Sequence, residues 1–322
     1  STVRGCTQNG IRGGSATVHF PIWHQEIEDI LVLKNNKGTE DNRVRKLDYS
    51  IQISKLFYER FIQNETISLF SPHDVPGLYD AFGTDDFDAL YEKYEQDEKI
   101  ARRTVDASQI VLSLLKERAE TGRIYIMNID HCNSHSSFKD KVNMSNLCQE
   151  ITLPTDPISH IDDDGGEIAL CILSAINVGK LRNLNEMEEL CDLAVRGLEE
   201  LIDYQKYPVK AAERSTLARR SLGVGYIGLA HYLAKNGYNY SDQGAWDLVH
   251  KLSESFQFNL LKASNAIAME KGACEGFQHT KYADGILPID TYKSEVDEIS
   301  NVELEYDWNS LRESIKQFGL RH

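Results

Sequence analysis

Between Asp97 and Gly122 the apolar residues Ala107, Ile110, Val111, Leu114 and Leu115 recur every three or four positions, the interval that places side chains on one helical face. Gly122 stands just past this stripe, where helices commonly end in the left-handed conformation that glycine adopts without strain. The next segment, RIYIMNI at 123 to 129, is rich in β-branched and aromatic residues and predicts a strand. Two more helical stripes run through Met187, Leu190, Ala194, Leu198 and Leu201, and through Trp246, Val249, Leu252, Phe256 and Leu260 to a stop at Gly272. Strands separated by helices of this length imply an α/β class with a parallel sheet or barrel. No repeat, low-complexity linker or domain boundary interrupts the pattern.

Composition narrows the functional classes. With 322 residues, 41% hydrophobic and 26% charged, the chain can bury one large core or two modest ones. A net charge of -15 and a pI near 5.1 argue against a broad surface for nucleic acid. No apolar run reaches the roughly 18 residues of a membrane span. The six cysteines, Cys6, Cys132, Cys148, Cys171, Cys191 and Cys274, are too sparse for a secreted disulfide scaffold, so a reducing, cytoplasmic setting is expected. The chain opens on STVRGC without an initiator Met and closes on GLRH after a helical pattern, which reads as a segment cut at both ends.

Several motifs have plainer readings beside the chemical one. Gly223, Gly225 and Gly228 spell GVGYIG, a match to the dinucleotide fingerprint. The preceding AAERSTLARR is too polar for the buried strand that such a site needs, so glycines permitting close backbone packing are expected instead. His131, Cys132 and His135 lack a second ligand pair at zinc-like spacing. The run Asp162 to Glu167 misses the calcium-loop spacing and reads as an exposed turn. In CTQNGIRGGSAT, from Cys6 to Thr17, glycines permit positive φ and close backbone approach, while Gln8 and Arg12 offer planar groups of the kind that read bases or phosphates. A plain flexible loop fits the same spacing.

The segment MSNLCQEITLP at 144 to 154 sets Asn146, Cys148 and Glu150 at alternate positions. In an extended strand these three side chains share one face. An amide, a thiol and a carboxylate could then meet one small ligand.

Taken together, GIRGGSATVHFPIWHQEIEDILVLKNNKG (10 to 38), SPHDVPGLYDAF (71 to 82), TGRIYIMNIDHCN (121 to 133), SNLCQEITLPT (145 to 155), GEIALCILSAIN (166 to 177), RRSLGVG (219 to 225) and GILPIDTY (285 to 292) closely resemble the large, catalytic subunit of class I ribonucleotide reductases of enteric bacteria and their large phages. The resemblance covers essentially the whole chain. It implies part of a ten-stranded α/β barrel, incomplete at both ends, with residues 1 to 17 in the specificity-loop region and 145 to 155 in a central finger loop. The family's N-terminal ATP cone and C-terminal barrel segment, with its radical-relay tyrosines, would fall outside residues 1 to 322.

By the same resemblance, Cys148 carries a transient thiyl radical that removes the 3′ hydrogen of a ribonucleoside diphosphate. Glu150 takes the 3′ hydroxyl proton, Asn146 holds the ribose hydroxyls, and Cys171 is one of two reducing thiols, its partner lying upstream of Ser1 in the family. A buried, inert thiol is expected for Cys191, on an apolar helix stripe. Gln8, Arg12, Gly13 and Gly14 match the specificity loop, and Leu147 and Gln149 flank the radical cysteine at the substrate. No metal or bound cofactor is implied in this chain. The radical would come from a separate metal-containing subunit of di-iron type, dNTP and ATP would act as effectors, and thioredoxin or glutaredoxin would reduce the spent disulfide. Complementary segments of the subunit and a homodimer of complete subunits are the implied assembly, with no membrane and no direct nucleic acid partner. The isolated chain is expected not to turn over. The alternative is a non-catalytic remnant that retains only fold or nucleotide binding.

Overall fold

The computed structural model describes residues 2–39, 43–300 and 302–322, without the side chains of Arg4 and Gln8. The chain divides into two compact units, a division that the hydrophobic pattern does not mark. One comprises residues 1–136 and 141–154, the other residues 137–140 and 155–322.

In the first unit a short helix, Thr2–Gly5, precedes a small antiparallel ribbon, β1 (Thr7–Gln8) against β2 (Arg12–Gly13). Its framework is a parallel sheet of β3 (Thr17–Pro21), β4 (Asp48–Ile53) and a third strand, with β4 in the middle. An antiparallel pair, β5 (Thr66–Phe70) and β6 (Arg102–Asp106), lies between them in sequence. From β6 the helix Ala107–Thr121 leads to the third parallel strand, β7 (Ile124–Asn128). The predicted helix and strand are both present, and Gly122 caps the helix at φ 63°. The helix buries Ala107, Ile110, Val111 and Leu114 but leaves Leu115 exposed, so the buried stripe is narrower than the apolar pattern.

Aromatic rings fill much of this unit's core. Phe57 and Phe70 meet Tyr91 edge-on, with centroids 5.4 and 5.6 Å apart, the geometry that the ring quadrupole favours. The Tyr91 hydroxyl donates to the Ser68 carbonyl at 2.7 Å and accepts from its amide at 2.8 Å, so burying it leaves no polar atom unpaired.

In the second unit β8 (Ile172–Asn177) and β9 (Leu222–Ile227) form a parallel pair with Leu173 opposite Gly223. The helices Met187–Tyr204 and Gln243–Lys271 cover them. Met187, Cys191, Val195, Leu198 and Ile202 are the buried apolar residues of the first helix, while Leu201 is exposed. The packed face is thus rotated from the predicted stripe, because Cys191 and Ile202 carry it inward. Trp246, at the start of the second helix, is likewise exposed, whereas Leu252 and Phe256 are buried. Among the described residues no sheet closes into a barrel; the α/β class holds, with parallel strands grouped in threes and twos.

Candidate active site

The finger loop is built in the first unit, on one face of the parallel sheet. Strand β4 alternates: Ile51 and Ile53 enter the apolar core, so Ser50 and Gln52 point to the opposite face. These two polar residues are nonetheless 0% and 1% exposed, because the loop lies over them. Five hydrogen bonds hold it there, from all three strands. Thr17 Oγ1 of β3 donates to the Leu147 carbonyl at 2.6 Å, and the Ser145 amide donates to His19 Nε2 at 3.4 Å. Ser50 Oγ donates to Gln149 Oε1 at 2.5 Å, and Gln52 Nε2 donates to the Asn143 carbonyl at 2.6 Å. Gln149 Nε2 then donates to the Ile126 carbonyl of β7 at 2.6 Å.

The loop itself is a turn, which corrects the extended-strand expectation for Asn146, Cys148 and Glu150. Ser145 and Thr152 form an antiparallel bridge, and the Gln149 amide closes onto the Asn146 carbonyl at 3.2 Å. Gln149 sits at φ 64°, a left-handed conformation that costs a non-glycine residue about 1 kcal/mol. Strict alternation of faces therefore does not apply. Asn146 Oδ1 accepts from the Ile151 amide at 3.1 Å and from Ser145 Oγ at 3.3 Å, so its carbonyl end builds the turn. Cys148 and Glu150 are exposed, as is Leu147.

His19 has its Nε2 engaged as an acceptor, so the proton resides on Nδ1, which is buried without a partner among the described residues. Desolvation by burial holds its pKa below 6.5. The imidazole is therefore neutral at neutral pH. Thr17 Oγ1, His19, Ser50 and Gln52 were not singled out in the sequence. The one signal for Ser50 and Gln52 was the polar alternation inside DYSIQI, whose ordinary meaning is a solvated face.

The glycine-rich stretch is ordered as a hairpin. Asn9 and Gly10 adopt φ 51° and 70°, the paired positive values of a tight turn, and Ile11 at its tip is 92% exposed. Arg12 and Gly13 are exposed on β2. Gly14 is required by space, since a Cβ there would fall 2.4 Å from the carbonyls of Val3 and Cys6. The Gln8 side chain lies outside the described residues.

Cys171 belongs to the second unit and directly precedes β8. A Cβ on Gly223 would lie 3.1 Å from its Sγ and 2.4 Å from Leu173 Cδ2. The first glycine of GVGYIG thus makes room for this thiol, while Gly228, at φ 81°, leaves room for Asn177 Oδ1. Close packing accounts for Gly223 and Gly228, whereas a Cβ on Gly225 would meet nothing within 4 Å. Cys191 is wholly buried and its pKa is pushed by desolvation to about 12, the expected inert thiol. Asp163 accepts from the amides of Ser159 and His160, the expected exposed turn. Among the described residues no three His, Cys, Asp or Glu side chains gather as metal ligands.

This geometry coincides with a match of residues 1–322 to the model of the ribonucleotide reductase barrel domain. The chain belongs to the ribonucleotide reductase family. Its reductase relatives include the ribonucleoside-diphosphate reductase subunit alpha of Haemophilus influenzae, 59% identical over the whole chain and 43% of that protein. The corresponding subunit of reductase 1 from Escherichia coli strain K12 is 55% identical, and that of enterobacteria phage T4 is 43% identical, over the same shares. The chain therefore spans under half the length of these reductase subunits.

Proposed function

We propose that the chain supplies the radical-cysteine portion of a ribonucleoside-diphosphate reductase catalytic subunit. What supports the reading is Cys148, an exposed thiol on a turn fastened to three strands, with Asn146 and Glu150 beside it. A sulfur radical at Cys148 takes the 3′ hydrogen atom of the ribose. Glu150 accepts the 3′ hydroxyl proton and later returns it to O3′, and the 2′ hydroxyl departs as water with a proton from one of the two reducing thiols. The Asn146 amide nitrogen donates to the ribose oxygens. Two thiols, one of them Cys171, become a disulfide as they reduce the sugar, and Cys148 returns its hydrogen to C3′. The radical originates in a separate metal-containing subunit, and thioredoxin or glutaredoxin restores the thiols. The Arg12 hairpin responds to the substrate base and to dNTP or ATP effectors, in a cytoplasmic homodimer.

General-base catalysis contributes on the order of 10²–10⁴-fold. In a complete subunit containing these residues, assayed with its radical-generating partner and a dithiol, Glu150→Gln should lower turnover by about that factor, with no change in melting temperature because Glu150 is exposed. Cys148→Ser should abolish deoxyribonucleotide formation. Undiminished formation by Cys148→Ser would overturn the proposal.

A further inference from the structure

We infer that Gln149 and Ser50 are positioning residues that aim the Cys148 sulfur, an inference that rests on the proposed radical role of Cys148. The Gln149 amide is a two-ended bracket: its oxygen takes the Ser50 hydroxyl at 2.5 Å and its nitrogen reaches the Ile126 carbonyl at 2.6 Å. Ser50 and Ile126 lie on adjacent parallel strands, β4 and β7, where Ser50 pairs with Tyr125 and Ile51 with Ile126. One side chain therefore ties the loop to two rigid strands at once. Ser50 is 0% exposed, so its hydroxyl is oriented toward Gln149 without competition from water.

The bracket acts on the neighbouring residue. Gln149 holds a left-handed φ of 64°, a conformation maintained only where surrounding contacts determine it. On the other side of Cys148, the Leu147 carbonyl is held by Thr17 Oγ1 at 2.6 Å. Cys148 is thus suspended between two anchored residues and is itself exposed. Hydrogen-atom transfer needs the sulfur within contact distance of C3′ and correctly directed, and small misplacements at a reacting atom cost large factors in rate. A thiol on an unanchored turn would sample many directions.

Strain and bracket can be separated because glycine tolerates positive φ. Gln149→Gly relieves the backbone while deleting the amide, and Ser50→Ala deletes only the hydroxyl. In the 322-residue chain, hydrogen exchange of the peptide covering 144 to 152 should accelerate at least about tenfold in either variant, while peptides from β4 and β7 exchange as before. Because both variants remove the same hydrogen bond, the double variant should be little worse than Gln149→Gly, a non-additivity expected of contacting residues. In the complete subunit, kcat should fall about tenfold with unchanged KM. The kinetic isotope effect with a 3′-deuterated ribonucleoside diphosphate should rise, since a misdirected sulfur makes hydrogen transfer limiting. Loss of folded protein alone would leave that isotope effect unchanged. Unaltered loop exchange in both variants, or lower kcat without a larger isotope effect, would overturn the inference. A subunit inactive even with Gln149 and Ser50 intact would instead contradict the functional proposal, while the exchange result would still test the bracket.

Discussion

Because His19 Nε2 accepts from the Ser145 amide, only its neutral form holds the finger loop. Its pKa is depressed by burial below 6.5 in the folded state, so beneath pH 6.5 the unfolded chain binds a proton that the folded chain refuses. Stability must then fall as pH falls. The contribution is fully present above the ordinary histidine pKa and is lost progressively below it. Urea midpoints at pH 7.5 and 5.5 should differ more for the unmodified protein than for His19→Asn. Equal differences would show that His19 titrates alike in both states.

Among the secondary elements, the contact of β8 with β9 depends on a missing side chain. A valine at Gly223 would push into Leu173 and crowd the Cys171 sulfur, and overpacking of this kind costs roughly 1–3 kcal/mol. Gly223→Val should lower the urea midpoint and slow alkylation of Cys171, whereas Gly225→Ala, with no atom within 4 Å of its added Cβ, should do neither. A second element-scale feature ties the helix Met187–Tyr204 to its neighbours. Glu199, 1% exposed, pairs with Arg220 at 2.6 Å, Arg321 at 2.8 Å and His322 at 2.8 Å. Burial opposes its ionisation, yet the hydrogen bonds from Arg321 and Arg220 prevail and hold its pKa at about 2. Glu199→Gln leaves Arg321 without this counter-charge and Arg220 with Asp203 alone, 2.9 Å away, and should cost about 3–5 kcal/mol, measured by denaturant unfolding. In the unmodified protein the carboxylate stabilises fully above its ordinary pKa of 4.5, and that stabilisation disappears as pH falls toward 2.

For the molecule as a whole, the sheets leave edges. Among the described residues β8 and β9 pair only with each other, and Leu173 and Ile227 on them are 60% and 55% exposed. Unpaired strand edges with apolar side chains template association. Sedimentation velocity should show concentration-dependent self-association of the 322-residue chain, and Leu173→Lys combined with Ile227→Lys should reduce it. Monomeric behaviour at all concentrations would show that these edges are shielded.

The sequence by itself determined the elements whose information is local. The stripe through Ala107 and Leu114, the stop at Gly122 and the strand after it follow from helical and strand periodicity, and MSNLCQEITLP carried the chemistry of the loop in its residue types. The direction of that chemistry was not local. Alternation along Asn146, Cys148 and Glu150 implied a strand, but the turn exists because Gln149 reaches Ser50, 99 positions away, and Leu147 meets Thr17, 130 positions away. The buried polar face of β4 likewise reads as solvated until the loop covers it. Periodicity records which side of an element is apolar, whereas hydrogen bonds between distant segments decide what covers a polar side, and only the tertiary structure brings those partners together.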